Sequence, residues 1–331
     1  MANFQKSPKD ANIRLDSAGQ RLILMLEETV KIDLFGGGPR GEDLVVDTSD
    51  TSVASVSQTP VARNGHLITY SVTGLKSGAT KLEARLFNQS PRDYQAQRML
   101  WNSMPVWASV QISVMGEEYR QAGGAWGNLI YGSTNPRWKH VQWTNMATAG
   151  CGPTSLSIVL DYLDRLNSPD KDLQVCLRGI DPLDTMKYTS QYGRAADDKN
   201  QPSGTSGTIM MDNISKYWPD YEAEKVSDLN HAAALLRANN PLVFLCRNCT
   251  TYKLVNGQKK STTFPGHFMV LLGVENDNKT FWISDPSHAQ TTYISSSELQ
   301  GSDIWRVYKK TDETAAQNPL TLFPNQSTVS P

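Results

Sequence analysis

The chain has 331 residues, 39% of them hydrophobic and 20% charged, with a formal net charge of -1. That length carries two domains of ordinary size, and the even mixing of basic and acidic residues leaves no stripe for a nucleic acid partner. The first ten residues are polar and no later stretch is apolar for long enough to span a bilayer, so synthesis in the cytoplasm without a Sec signal or membrane span is expected.

From residue 13 to 115 the pattern is short strands and turns, at 22–26, 30–34, 52–56, 67–72, 81–86 and 110–114. Several short strands at this spacing predict a β-sandwich. Residues 47–56 (DTSDTSVASV) and 72–80 (VTGLKSGAT) resemble the bacterial Ig-like domains of surface and secreted proteins. The resemblance implies an all-β Ig-like sandwich acting as a spacer or binding unit. Residues 88–104, with Pro91, Arg92, Tyr94, Arg98 and Trp101, interrupt the pattern and predict a long loop. His66, beside Gly65, is assigned no role.

Residues 116–134 contain Gly123, Gly124, Gly127 and Gly132 and predict a linker. Beyond it, residues 149–156 read Ala-Gly-Cys-Gly-Pro-Thr-Ser-Leu, and Leu156, Val159, Leu160 and Leu163 fall on one face of a helix. Pro153 suits the first helical turn, so Cys151 lies at the helix mouth, where unpaired N–H groups favour a thiolate. A small buried cysteine would fit the same pattern. An acyl-transfer site also needs a donor for the developing oxyanion. Gln142 is the preferred candidate and Asn145 the alternative.

Helices are expected at 208–218 and 227–239, the second capped by Ser227, with His231 solvated or capping. A buried strand at 242–245 and a hairpin-like loop at 247–263 come next. Residues 265–274 then form an apolar strand entered by Gly266 and His267, 275–279 a turn, and 280–286 a returning strand ending at Asp285 and Pro286. With the turn centred near Asn276 or Asp277, His267 and Asp285 share one face. A carboxylate there orients the imidazole, which needs Cys151 on its other side.

Gly150-Cys151-Gly152-Pro153-Thr154-Ser155-Leu156, Gly266-His267-Phe268-Met269-Val270 and Ser284-Asp285-Pro286 resemble the papain-like cysteine peptidases related to bacteriocin-leader-processing domains. The resemblance spans 135–310 and implies an α+β papain-like domain. It also implies Cys151 as nucleophile, His267 as general base and Asp285 as its orienting carboxylate, in place of papain's asparagine.

No cofactor or metal is expected. Cys246 and Cys249 have no matching second pair and would form a local disulfide or remain two free thiols, Cys176 is read as a core residue, and His288 as exposed. Residues 311–331 predict a flexible tail. The expected protein is a two-domain cysteine hydrolase cleaving amide bonds, exported by a non-classical route as a bacterial or phage effector. Peptidoglycan stem peptides or a target protein would be its substrate, and a secretion apparatus or an immunity protein would be its partner. The alternatives are a deamidase or transglutaminase using the same triad, and a non-catalytic Ig-like binding protein.

Overall fold

The computed structural model describes residues 3–6, 13–17, 19–35, 44–57, 60–64, 67–86, 100–166, 179–197, 199–255, 258–287 and 292–310. His66, Cys176, His288, most of the 88–104 insertion and the 311–331 tail lie outside them.

Among the described residues the N-terminal half has ten strands: β1 (Asn3–Lys6), β2 (Arg14–Leu15), β3 (Arg21–Leu24), β4 (Thr29–Phe35), β5 (Leu44–Thr48), β6 (Ala54–Val56), β7 (Ala62–Asn64), β8 (Leu67–Gly74), β9 (Gly78–Leu86) and β10 (Val106–Val114). One sheet runs β1-β4-β8-β6, with β7 also on β8; the other runs β2-β3-β10-β9-β5. Leu22, Leu24, Ile32, Val72, Leu82, Val110 and Ile112 from both sheets fill a common core. Short apolar runs between turn residues located β3, β4, β8, β9 and β10 but not β5. β2 and β7 are too short to alternate, so they left no such trace.

The C-terminal half is helical and β mixed. Its helices are α1 (Met146–Ala149), α2 (Cys151–Leu166), α3 (Pro182–Tyr192), α4 (Gly207–Asp212), α5 (Ile214–Tyr217), α6 (Leu229–Arg237) and α7 (Ser296–Leu299). Two short strands, β11 (Arg194–Ala196) and β12 (Pro202–Thr205), pair with each other. The remaining strands are β13 (Tyr221–Lys225), β14 (Leu242–Cys246), β15 (Cys249–Val255), β16 (Gln258–Phe264), β17 (His267–Val274), β18 (Thr280–Ser284), β19 (Thr292–Ser295) and β20 (Asp303–Lys309). They form one sheet in the order β13-β20-β14-β17-β18-β19-β15-β16. Leu156, Val159, Leu160 and Leu163 of α2 pack on one face of that sheet with Phe268, Val270 and Leu272. Ala232, Ala233 and Leu236 of α6 cover the other face with Phe244, Met269 and Leu271.

Sequence expectations hold for the hairpin at 247–263, which is β15 and β16. The expected helix at 208–218 breaks at Asn213 into α4 and α5. The cap of α6 is Asp228 and not Ser227: its carboxylate accepts from the N–H groups of Asn230 and His231. Two N–H groups on one charged acceptor outweigh what a serine hydroxyl offers.

The two halves are not strung apart. Ile23, Met25 and Met115 enter the core beneath α2. Arg21 donates to the carbonyl of Leu236 at 2.6 Å and to Asn239 Oδ1 at 2.9 Å, and Ser113 Oγ donates to Asn239 Oδ1 at 2.6 Å.

The glycine-rich stretch expected as a linker is likewise held in place. Glu117 N–H donates to Asp161 Oδ2 at 2.9 Å, Gln121 N–H to the carbonyl of Pro286 at 2.9 Å, and Tyr131 N–H to that of Thr144 at 2.8 Å. Gly116 is required there, because a Cβ would lie 2.5 Å from Asp161 Oδ2. Burial pushes the Asp161 carboxyl up, against the opposing pull of Arg165, whose Nε donates to both its oxygens at 2.9 Å. Removing one partner of a buried pair leaves an uncompensated charge. Asp161→Ala is therefore expected to lose about 3–5 kcal/mol, read as a lower urea midpoint; a loss below about 1 kcal/mol would mean the anchor contributes little.

Candidate active site

Two helical segments meet at Cys151. Asn145 caps α1, its Oδ1 accepting from Thr148 N–H at 3.1 Å and Thr148 Oγ1 at 2.8 Å. Gly150 separates α1 from α2, whose first residue is Cys151 and whose third is Pro153. Gly152 is demanded by its neighbour, since a Cβ would come within 2.7 Å of Thr205 Oγ1. Cys151 is half-buried as a residue, and its sulfur accepts hydrogen bonds from the backbone N–H groups of Gly152 and Phe268 and from His267.

Strand register brings up the histidine. Near the turn, Val274 pairs with Phe281 and Gly273 with Trp282; nearer His267, Leu271 pairs with Ile283 and Val270 with Ser284. Leu272 is the extra residue between those two registers, a β-bulge. The turn-side register, continued, would oppose Asp285 to Val270 and send its carboxylate to the face away from His267. The register beyond the bulge, continued one residue past Val270–Ser284, would oppose Asp285 to Met269, two residues from His267 on the same strand. Gly273 makes room for the bulge, since a Cβ would meet the Trp282 ring at 2.8 Å and Ile23 Cδ1 at 2.3 Å.

His267 Nε2 lies 2.7 Å from Asp285 Oδ1. The same oxygen accepts from Ser287 N–H at 2.8 Å and Ser287 Oγ at 2.7 Å. Nδ1 is left for Cys151, with which the imidazole shares its second hydrogen bond. Burial acts against all three charges. For Asp285, the hydrogen bond and charge of His267 and the Ser287 donors overcome it and hold the carboxyl well below the usual range. For His267, burial is overcome by Asp285 and then by Cys151, which raise the imidazole to about 9. Burial would push the Cys151 thiol up, but His267 and the N–H groups of Phe268 and Gly152 bring it below its ordinary value. The arrangement favours a thiolate–imidazolium pair.

A cation stands behind the cysteine. Arg194, opposite Thr205 across β11 and β12, is buried between the rings of Tyr131 and Trp143, with centroids 4.6 and 5.0 Å away. Tyr131 OH reaches Thr205 Oγ1 at 2.8 Å, closing a polar layer against Gly152.

Of the sequence candidates, Cys151, His267 and Asp285 are brought together. Gln142 is exposed, and among the described residues no hydrogen bond ties it to Cys151 or His267. Asn145 is used as a helix cap. An amide that sequence reasoning passed over is tied to the segment leading into Cys151: buried Gln121 donates from Nε2 to the carbonyl of Ala147 at 2.7 Å, one turn before Cys151. It stood inside the glycine-rich stretch, with no local pattern to mark it. His231 is exposed on α6. Cys246 and Cys249 form a disulfide with Cα atoms 5.7 Å apart. Among the described residues no group of three or more His, Cys, Asp or Glu is arranged to hold a metal, and no helix is long and apolar enough to cross a membrane.

Residues 138–313 match the sequence model of the Peptidase_C39 like family, which is more than half of the chain. The chain belongs to that family. Membership places it among cysteine peptidases, and the match covers Cys151, His267 and Asp285. Gln121 and the N-terminal sheets of this Peptidase_C39 like protein lie before the matched region. No curated protein matches the chain. Among solved structures it is similar to domains 4 and 5 of the S-layer protein SbsC, at 14% identity and a TM-score of 0.20, covering 34% of this chain and 53% of that one. The chain thus spans about half the length of that structure. It is also similar to domains 5–6 of SbsC, at 10% identity and a TM-score of 0.21 over 86% of this chain and 96% of that one. A further match is to the Bacteroides ovatus mixed-linkage glucan utilization locus protein SGBP-B in complex with a mixed-linkage heptasaccharide, at 9% identity and a TM-score of 0.21 over 90% and 52%. Scores at this level carry no argument about fold or function.

Proposed function

We propose that the protein is a cysteine hydrolase that cleaves amide bonds through Cys151, His267 and Asp285, and that it acts after export on peptidoglycan stem peptides or on a target protein. The observation that carries the reading is the paired thiol and imidazole, with the far ring nitrogen held by a buried carboxylate at 2.7 Å. The Cys151 thiolate attacks the amide carbonyl carbon, and the displaced electron pair moves onto its oxygen. The Cys151 N–H and the Gln121 amide are the donors proposed for that oxyanion, Gln121 in preference to exposed Gln142. As the oxyanion collapses, the C–N bond breaks and imidazolium His267 gives its Nδ1 proton to the leaving nitrogen, leaving a thioester on Cys151. Water then attacks the thioester, His267 takes its proton, and the acid product leaves as the thiolate reforms. Export is supported by the Cys246–Cys249 disulfide, which belongs in an oxidising compartment.

Incubation of the wild type and Cys151→Ala with purified peptidoglycan and with a cell lysate, read by mass spectrometry, tests the reading. New peptide termini made by the wild type alone are expected, and Gln121→Ala should slow their release more than Gln142→Ala does. Identical product profiles for wild type and Cys151→Ala would overturn the hydrolase assignment. A one-dalton gain on glutamine without cleavage would replace it with deamidation.

A further inference from the structure

Two four-residue turns face each other beside the imidazole. Residues 246–249 join β14 to β15, and residues 264–267 join β16 to β17. Cys246 pairs with His267 across the first pair of strands, and Cys249 pairs with Phe264 across the second. The turns therefore match residue for residue, and Asn248 N–H donates to the carbonyl of Pro265 between them at 3.3 Å. Both cysteines are buried, at 0% and 1% exposure, and their disulfide ties the two ends of one turn together. Phe264, at the start of the other turn, lays its ring over the imidazole with centroids 4.5 Å apart and planes 17° from parallel. Directly opposed residues in an antiparallel pair point to one face, so Cys246 and His267 share a face. Asp285 fixes one edge of the imidazole; Phe264 fixes its plane.

We infer that the Cys246–Cys249 disulfide and Phe264 form a clamp that positions His267, so that the reactivity of Cys151 depends on the redox state of a cysteine pair outside the triad. This rests on the catalytic pairing of Cys151 with His267 proposed above. With the disulfide closed, the 246–249 turn is fixed, and it fixes through the ladder the turn that carries Phe264 and His267. Reduction breaks one S–S bond and adds two electrons and two protons, giving two thiols. The turn then opens at its base, Phe264 loses its backing, and the imidazole is free to leave the plane in which Nδ1 meets the sulfur. Such a protein would be slack in a reducing cytosol and competent once oxidised. Phe264 and the two cysteines are positioning residues that act through His267.

The test follows iodoacetamide alkylation of Cys151, read peptide by peptide by mass spectrometry, from pH 5 to 10. It compares the oxidised wild type, the same protein reduced with a water-soluble phosphine, Cys246→Ser/Cys249→Ser, Phe264→Leu and Phe264→Tyr. The phosphine supplies the two electrons and is converted to its oxide. Reduction, the double variant and Phe264→Leu should each move the thiolate titration upward by about one pH unit, a loss of about tenfold in rate at pH 6.5. Phe264→Tyr keeps the ring and should retain the wild-type profile. An unchanged profile in reduced protein whose Cys246 and Cys249 have become alkylatable would overturn the clamp. If the double variant does not fold, Phe264→Leu matching Phe264→Tyr would overturn it equally. An oxidised wild type whose Cys151 titrates as an ordinary thiol would remove the catalytic pairing and the clamp with it, a failure distinct from loss of the redox effect alone.

Discussion

In His267→Ala, alkylation of Cys151 by iodoacetamide at pH 6.5 is expected to fall on the order of 10²-fold. The reason lies in the balance at the sulfur. Burial is the largest influence on the Cys151 thiol and acts to raise it; the hydrogen bond and charge of His267 are next, and when they are gone the N–H groups of Phe268 and Gly152 and the Arg194 charge remain. Two neutral donors and the Arg194 charge, itself held against the rings of Tyr131 and Trp143, do not offset desolvation of a thiolate, so the thiol rises above its ordinary value and the reactive fraction at pH 6.5 collapses. Cys246 and Cys249, tied as a disulfide, supply no competing signal while the protein is oxidised. A rate within about threefold of wild type would mean that His267 does not hold the thiolate. Amide turnover should fall further than alkylation, because the leaving nitrogen also loses its proton donor.

Asp285→Asn tests the other side of the imidazole through pH. Burial is the largest influence on His267 and lowers it; Asp285 is the first of the groups that overcome it and raise the imidazole from 6.5 to about 9. Turnover requires the imidazolium to protonate the leaving nitrogen, so the alkaline limb of the wild-type rate profile is expected at about 9. An asparagine keeps a hydrogen-bonding oxygen but not the charge, and the limb should move down toward the ordinary histidine value. At pH 8 that is a loss of about tenfold or more. A limb that stays near 9 would show that Asp285 does not set it. The same shifts govern stability. The raised imidazole contributes fully below 6.5, and that contribution is lost as pH rises through about 9. The depressed carboxylate contributes above the ordinary carboxylate range, and its contribution is lost as pH falls through its own lower value. The deficit of Asp285→Asn, measured as a difference in unfolding midpoint, should therefore be largest near neutral pH and shrink at both ends.

What the chain states locally concerns elements and chemistry. Gly150-Cys151-Gly152-Pro153 starts a helix whose apolar face follows at fixed intervals, and short apolar runs between turn residues mark β3, β4, β8, β9 and β10, because both patterns depend on neighbours within a few residues. His267 and Asp285 stand at the ends of an apolar hairpin for the same reason. Gly273, a glycine inside a strand, was a readable sign of a bulge. The turn residues alone did not give its position.

Tertiary structure decided the rest. Side chains alternate along a strand, so one extra residue at Leu272 determines whether Asp285 meets His267 or faces away. The space that permits it is bounded by Trp282 and by Ile23 from the other half of the chain. The N-terminal sheets, expected as a spacer or binding unit, share a core with α2 because Ile23, Met25 and Met115 are apolar on a surface that must be covered. The glycine-rich stretch reads as a linker until Asp161 and Pro286 take up its N–H groups and Gln121 reaches Ala147 of α1, just before the cysteine helix. By itself the sequence named Cys151, His267 and Asp285 as candidates and gave the order in which the chain supplies them. Which face each occupies, and what lies behind it, depended on contacts between segments far apart in the chain, where no local period reaches.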